Sequence, residues 1–404
     1  GVALVLGAGN VASIGPLDCV HKLFVEGQVS LLKMNPVNDY LGPFVEEAFS
    51  EFIERGFVEV CYGGAEVGKY LTHHELVEEI HITGSDRTHD AIVFGTGEEG
   101  ERRKEENDPL LDKPISSERG NVSPVIVVPG DWSESDIEFH AQNVASQIVN
   151  NAGFNCNAAR VIVTWEGWRQ RDQFLDKVME TLERIGTRDA YYPGAGDRFE
   201  RFTETHDERT ITAGDPDSDE LPWAMIRGVD YQDEDNICFN QEAWCSVMSE
   251  TPLPAADQQE FLEKAVEFAN ETLWGTLNAS LIVHPDTQKK LDSEVERAIE
   301  DLRYGSVVLN HWPAISYALG ATAWGAYPGH TLDDIQSGRG FVHNTYLFDK
   351  PEKSVIRGPF IVKPKPPWFA THETGDEIGP KLLEFERDPG VFNFAGVLWP
   401  AIRG

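Results

Sequence analysis

One cysteine stands out by its setting. Cys156 ends the loop Asn150-Asn151-Ala152-Gly153-Phe154-Asn155-Cys156 and stands just before the apolar run Arg160–Thr164. Apolar sequence flanks the loop on both sides, so the thiol is expected where backbone N–H groups are free. A thiolate formed there is expected to have a lowered pKa and a ready oxyanion site, as a nucleophilic cysteine requires. The loop also describes a small buried hydrophobe, the usual fate of a free cysteine. Partners elsewhere in the chain must decide between the two.

Five other stretches carry candidate partners. Gly7-Ala8-Gly9-Asn10-Val11-Ala12 follows a strand, opens a helix and matches the G-x-G-x-x-A dinucleotide pattern. Glu26 is the acid at about the right distance, but it falls within or at the end of the following helix and not at the end of a second strand. An ordinary strand–turn–helix explains the glycines as well, and the Asn10 amide on that turn could donate to a developing oxyanion. Lys33 ends the strand Ser30-Leu31-Leu32-Lys33, where an ammonium suits ribose hydroxyls or a phosphate, or simply meets solvent. In Ile82-Thr83-Gly84-Ser85 the turn opens another helix, so Gly84 and Ser85 make either a pyrophosphate site or an N-cap. Glu118, in the stretch Ser117–Pro124 before a strand, is a general base or a solvated loop charge. Glu242 and Trp244 of Asn240-Gln241-Glu242-Ala243-Trp244 pair a carboxylate able to hold a ribose diol with an aromatic able to pack on a nicotinamide.

The elements that must position these residues alternate. Val2–Leu6, Val29–Lys33, Val58–Tyr62 and Glu79–Thr83 read as buried strands, with helices over Leu17–Glu26, Tyr40–Arg55 and Ala65–Leu71. This cadence predicts a parallel sheet covered on both faces, with ligands beyond the carboxyl ends of its strands. The charged stretch Glu98–Asp108 reads as an exposed loop or hinge. A second alternating block follows: strand Val125–Val128, helix Ser133–Val149, the cysteine loop, strand Arg160–Thr164 and helix Gln170–Ile185. Tyr191–Pro222 reads as irregular. Beyond it come strand Ala224–Val229, the segment Asn236–Val247, helix Ala256–Leu273, strand Ser280–Val283, helix Thr287–Leu302 and strand Ser306–Asn310. Val355–Val362 reads as an edge strand, since Pro359 excludes a central one.

Bulk composition narrows the class. At 404 residues with 41% apolar content, two or three domains with real cores are expected. A net charge of −34 argues against nucleic-acid and anionic-membrane partners. No apolar run is long enough to span a bilayer. The 5 scattered cysteines, with no C-x-x-C pair, fit reduced thiols in the cytoplasm better than disulfides or a zinc site, and no metal is expected.

The order of these motifs resembles the aldehyde dehydrogenase superfamily. Ser30–Lys33 is similar to the family's V-V-x-K strand, Ile82–Ser85 to F-T-G-S and Glu118–Pro124 to E-L-G-G-K-S-P. Asn151–Cys156 is similar to N-A-G-Q-x-C, and Glu242–Trp244 to the E-I-F of E-E-I-F-G-P. The resemblance runs from residue 1 to about 356 and implies an α/β fold of two parallel or mixed open sheets flanked by helices, with a C-terminal extension. It implies a nucleotide-binding domain over 1–119, incomplete at its N-terminus, a catalytic domain over 120–340, and a strand for oligomerisation with a tail over 341–404. The family has a long segment before this start, so the chain is expected to be part of something longer or to have a neighbour completing the domain.

In that family an aldehyde is oxidised through a covalent thioester. Carried over, Cys156 is the nucleophile, the Asn10 amide and the Cys156 N–H hold the oxyanion, and Glu118 activates the hydrolytic water. Lys33 binds the adenosine ribose, Ser85 with Gly84 the pyrophosphate, Glu242 the nicotinamide ribose, and Trp244 lines the nicotinamide pocket. The cofactor is NAD or NADP: Pro36 stands where NAD-preferring members often carry a ribose-binding Glu. Phe154, Arg119, Asn121 and Cys245-Ser246 also depart from the pattern. Loops around Phe154, Trp312 and Tyr327 are expected to line the substrate pocket. A CoA-acylating or reductive relative and a catalytically silent one are the competing readings, and the family's pairing strand, matched near Lys353–Val355, implies a homodimer or homotetramer.

Overall fold

The structure, a computed structural model, describes residues 1–404. The apolar runs of the first third form strands β1 (Val2–Leu6), β2 (Val29–Lys33), β3 (Val58–Cys61) and β4 (Glu79–Thr83), and the polar stretch Ile115–Glu118 adds β5, a strand not expected from the sequence. They lie parallel in the order β5-β4-β1-β2-β3, with Gly338–Arg339 antiparallel on the outside of β5. Strands β6 (Pro124–Val128) and β7 (Val161–Trp165) sit at the centre of a second, eight-stranded sheet. All its neighbours run parallel except Thr210–Ala213 at one end; Ser354–Arg357 closes the other, where an edge strand was expected. The expected α/β class of two open sheets flanked by helices is what the chain adopts. Because parallel strands are covered on both faces, they appear in sequence as short continuous apolar runs, and all of β6 is buried.

The helix Glu134–Val149 sets up the nucleophile loop. A capping box starts it: Ser133 Oγ accepts from Asp136 N while Asp136 Oδ2 accepts from Ser133 N, 2.8 Å. The helix packs on the second sheet over most of its length and delivers Asn150 directly to the loop. In the first sheet the helix Ile14–Phe24 plays the same part for the Asn10 turn. Its Lys22, 1% exposed, reaches Glu26 and Glu79, each at 2.6 Å, and ties the helix to β4.

Several readings of the sequence are corrected. Glu98–Asp108 is no loop: Gly97–Glu105 is a helix whose surface is laced by Arg102 to Glu99 at 2.8 Å and Arg103 to Glu99 at 3.1 Å, pairs one turn apart. Tyr191–Pro222 holds the helix Ala195–Glu204, which buries Ala195 and Phe202, and the strand Thr210–Ala213. Val247–Leu253 is a central strand that polar residues disguised; its Glu250 is wholly buried and satisfied by Arg171 Nη2 at 2.8 Å. The helix expected over Thr287–Leu302 breaks at Leu291, and that over Tyr40–Arg55 breaks at Phe49, both at non-helical backbone angles. The tail folds into the helices Gly375–Arg387 and Val391–Arg403.

Lys22→Ala leaves two carboxylates facing a cavity. Because both are partly exposed, the expected destabilisation is about 2–3 kcal/mol, below the ~3–5 kcal/mol of a fully buried pair. Urea unfolding checks this, and an unchanged midpoint would place the anchor of this helix elsewhere.

Candidate active site

All eight residues singled out above, Asn10, Lys33, Gly84, Ser85, Glu118, Cys156, Glu242 and Trp244, line one cavity of ≈ 1270 Å³. It opens at the carboxyl ends of β1, β2, β4 and β5 and reaches the second sheet at Cys156. Lys33, Asn10, Ser85 and Glu118 end or follow β2, β1, β4 and β5, so the cavity reads across the sheet edge in the order β2, β1, β4, β5.

The nucleophile loop turns through left-handed backbone. Asn151, Ala152 and Gly153 have φ of 54°, 53° and 82°. A Cβ on Gly153 would stand 2.5 Å from Cys245 O, so only glycine lets the loop approach that backbone. Arg160 clamps both sides of the approach, donating through Nη2 to Gly153 O at 2.5 Å and through Nη1 to Cys245 O at 2.8 Å. Asn278 Nδ2 donates to Cys156 O at 3.2 Å and to Asn121 Oδ1 at 2.9 Å, which fixes the carbonyl of the cysteine itself. The single Tyr191 Oη hydrogen is shared between Asn151 Oδ1 at 3.0 Å and Asn10 O at 3.2 Å, joining the loop to the Asn10 turn. Roles for Arg160, Asn278 and Tyr191 were not visible in sequence, because each acts on backbone far away along the chain.

Cys156 Sγ lies 3.6 Å from Glu118 Oε1, within reach of an S–H donating to a carboxylate. The expectation of a lowered thiol pKa is corrected: burial, with Glu118 and Glu242 nearby, pushes Cys156 well above its ordinary 9.0. Burial also pushes Glu118 up to about 7, with Asp18 acting in the same direction, and Glu242 up to about 8, opposed by Arg160 and Arg198. A thiol and two carboxyls share a space that tolerates little negative charge. At rest Cys156 is therefore the thiol, in contact with the Glu118 carboxyl group.

Asn10 Nδ2 donates to Phe154 O at 2.8 Å, which uses one of its two hydrogens. Lys33 Nζ donates to Met34 O at 3.2 Å and keeps two, and burial lowers its pKa. Ser85 caps the helix Asp86–Val93, accepting from Thr88 N at 3.3 Å. Glu242 lies against the backbone of Gly120, where any Cβ would collide with its carboxyl group, and its buried Oε1 has no partner. Trp244 holds φ at 46° and stands edge-on to Tyr192 at 5.5 Å. Buried polar atoms without partners around one cavity are what a polar ligand would satisfy.

The aromatic lining differs from expectation. Phe154 is 1% exposed and turned away from the cavity, packed on Tyr191 at 4.9 Å and Tyr192 at 5.6 Å between ring centroids. Trp312 is held inside by its bond to Asn157 O at 2.7 Å, and Tyr327 carries Lys353 over its ring at 5.4 Å. Neither borders the cavity; Tyr192, Trp244 and Trp274 do.

Comparison with known proteins agrees with this architecture. Residues 4–195 match the aldehyde dehydrogenase family. An N-succinylglutamate 5-semialdehyde dehydrogenase from Novosphingobium aromaticivorans is 25% identical over 189 residues, 46% of this chain. The chain spans 36% of that curated relative's length. Among solved structures, a Mycobacterium tuberculosis aldehyde dehydrogenase complexed with NAD+ has 19% identity and a TM-score of 0.66, over 86% of this chain and 66% of that one. An NADP-dependent glyceraldehyde-3-phosphate dehydrogenase from Bacillus halodurans, complexed with NADP, has 17% identity and a TM-score of 0.66 over 85% and 66%. The resemblance read from motif order holds: the fold is that of aldehyde dehydrogenases, and the N-terminal half matches their family.

Glu242 ionises near 4.5 when unfolded and near 8 when folded. As pH rises between these values the unfolded chain releases a proton that the folded one keeps, so wild-type stability falls. Glu242→Gln is expected to melt above the wild type by a margin that widens up to about pH 8 and then levels off. Thermal melts against pH check this; a margin independent of pH would deny the burial of that charge.

Proposed function

We propose that this protein oxidises an aldehyde to a carboxylic acid with NAD or NADP through a covalent adduct on Cys156. The contact of Cys156 Sγ with Glu118 at 3.6 Å, at one end of the shared cavity, carries the reading. Glu118 takes the thiol proton and Cys156 attacks the aldehyde carbonyl. The thiohemiacetal oxygen is held by the Cys156 N–H and by the second hydrogen of Asn10 Nδ2; one such donor is worth roughly 10²–10³ in rate. A nicotinamide held by Glu242 and Trp244 would supply the hydride acceptor that converts this adduct to a thioester on Cys156. Glu118, having given that proton to solvent water, then takes one from a water attacking the thioester carbonyl. The C–S bond breaks, the acid leaves and the Cys156 sulfur recovers a proton from Glu118.

The orphaned Oε1 of Glu242 and the free hydrogens of Lys33 support ribose binding, Gly84 and Ser85 open the helix N-terminus toward a diphosphate, and Trp244 borders the nicotinamide end. Pro36 leaves NAD and NADP both admissible. Glu118 favours hydrolysis over transfer to CoA, and its contact with Cys156 argues against a silent relative. We read 1–119 as the nucleotide-binding part, 120–340 as the catalytic part and 341–404 as strand and tail. Ser354–Arg357 leaves its outer edge open, which supports pairing into a homo-oligomer. The 5 unpaired cysteines suit a reducing cytoplasm.

A panel of aldehydes with NAD and NADP, with and without CoA, tests the reading through absorbance of the reduced cofactor. Cys156→Ala is expected to abolish the signal. Glu118→Gln is expected to lower steady turnover by about 10²–10⁴, and any residual burst would locate that loss in deacylation. A fully active Cys156→Ala would overturn the mechanism.

A further inference from the structure

Arg119 is unusual among the buried charges of this molecule. It is 4% exposed, and its only side-chain hydrogen bond runs from Nη1 to Gln336 O at 3.1 Å. Its Nε and Nη2 are buried and meet no acceptor. Burial draws it down to about 10, with Asp86 and Asp90 near enough to oppose that, so it stays charged at neutral pH. A buried guanidinium with two idle donors is costly unless something absent from the free chain satisfies it.

Its place in the fold says what that is. Arg119 follows the last residue of β5 and lines the same cavity as Gly84, Ser85, Arg87 and Thr88 at the start of the helix Asp86–Val93. Gly84 N donates to Glu118 O at 3.1 Å, so the helix start and the Arg119 backbone are neighbours. Arg119 N donates to Ser337 O at 2.9 Å, which holds the backbone still. Lys33 stands three strand positions away in the order β5-β4-β1-β2, about 14 Å along the sheet edge. Between a ribose site at Lys33 and the reacting end at Glu118, the ligand segment passing the helix start is the bridging diphosphate. A helix N-terminus suits one phosphate, and a guanidinium fork suits the oxygens of the other.

We propose that Arg119 binds the diphosphate of a dinucleotide directly, sharing it with the N-terminus of Asp86–Val93. The proposal rests on the dinucleotide site put forward above. It assigns a binding role to a position that the sequence marked only as a departure from its family's pattern.

Calorimetric titration of the full chain with NAD+, ADP-ribose and adenosine, together with apo melting curves, tests it. Arg119→Met is expected to weaken NAD+ and ADP-ribose alike by about 10- to 100-fold and to leave adenosine unchanged. The apo variant is expected to melt above the wild type, because an unsatisfied buried charge has gone. Arg119→Lys, which keeps the charge and loses the fork, is expected to fall between the two in affinity. Unchanged ADP-ribose affinity, equal losses for adenosine and ADP-ribose, or a lower apo melting point would each overturn the proposal and make Arg119 a clamp on Gln336. A wild type that binds none of the three would instead overturn the dinucleotide site itself.

Discussion

A thiol and two carboxyl groups occupy one buried space, and the rest of the site follows from how little negative charge that space holds. Cys156, Glu118 and Glu242 all resist ionisation because of burial, and Glu118 and Glu242 both add to the pressure on the thiol. Only a proton handed from Sγ to Oε1 across 3.6 Å creates the nucleophile without adding net charge. Two guanidinium groups, Arg160 and Arg198, oppose that pressure at Glu242.

Holding the pair in contact requires the two sheets to meet at a fixed point. Glu118 ends β5 in the first sheet, and Cys156 precedes β7 in the second. The left-handed run Asn151–Gly153 stores backbone strain of the kind that tends to gather at functional loops. Arg160, Asn278 and Tyr191, all from outside the loop, hold that strain with hydrogen bonds to Gly153 O, Cys156 O and Asn151 Oδ1. Cys156 is thus placed by side chains that do not line the cavity.

The positions of the site residues were legible in the sequence for a physical reason. Parallel strands are written as apolar runs, and ligands bind beyond their carboxyl ends, so Lys33 and Gly84-Ser85 could be placed from pattern alone; Glu118 could not, because its strand Ile115–Glu118 is polar and reads as loop. The protonation of Cys156 was not legible, since it depends on carboxyls 38 and 86 residues away in the chain. Nor was the direction of Phe154: a residue in a loop of left-handed turns can face either way, and here the ring joins Tyr191 and Tyr192. The strand Val247–Leu253 was hidden because its buried Glu250 looks like a loop residue until Arg171 is seen beside it.

The central claim is that one cysteine of five carries the acyl group. Acid-quenched mass spectrometry of the wild-type chain, stopped within the first turnover after mixing with an accepted aldehyde and NAD or NADP, reads this directly. The account predicts the mass of the acyl group on the peptide that contains Cys156. An adduct on Cys19, Cys61, Cys238 or Cys245 instead, or reduced cofactor formed with no adduct at all, would contradict it.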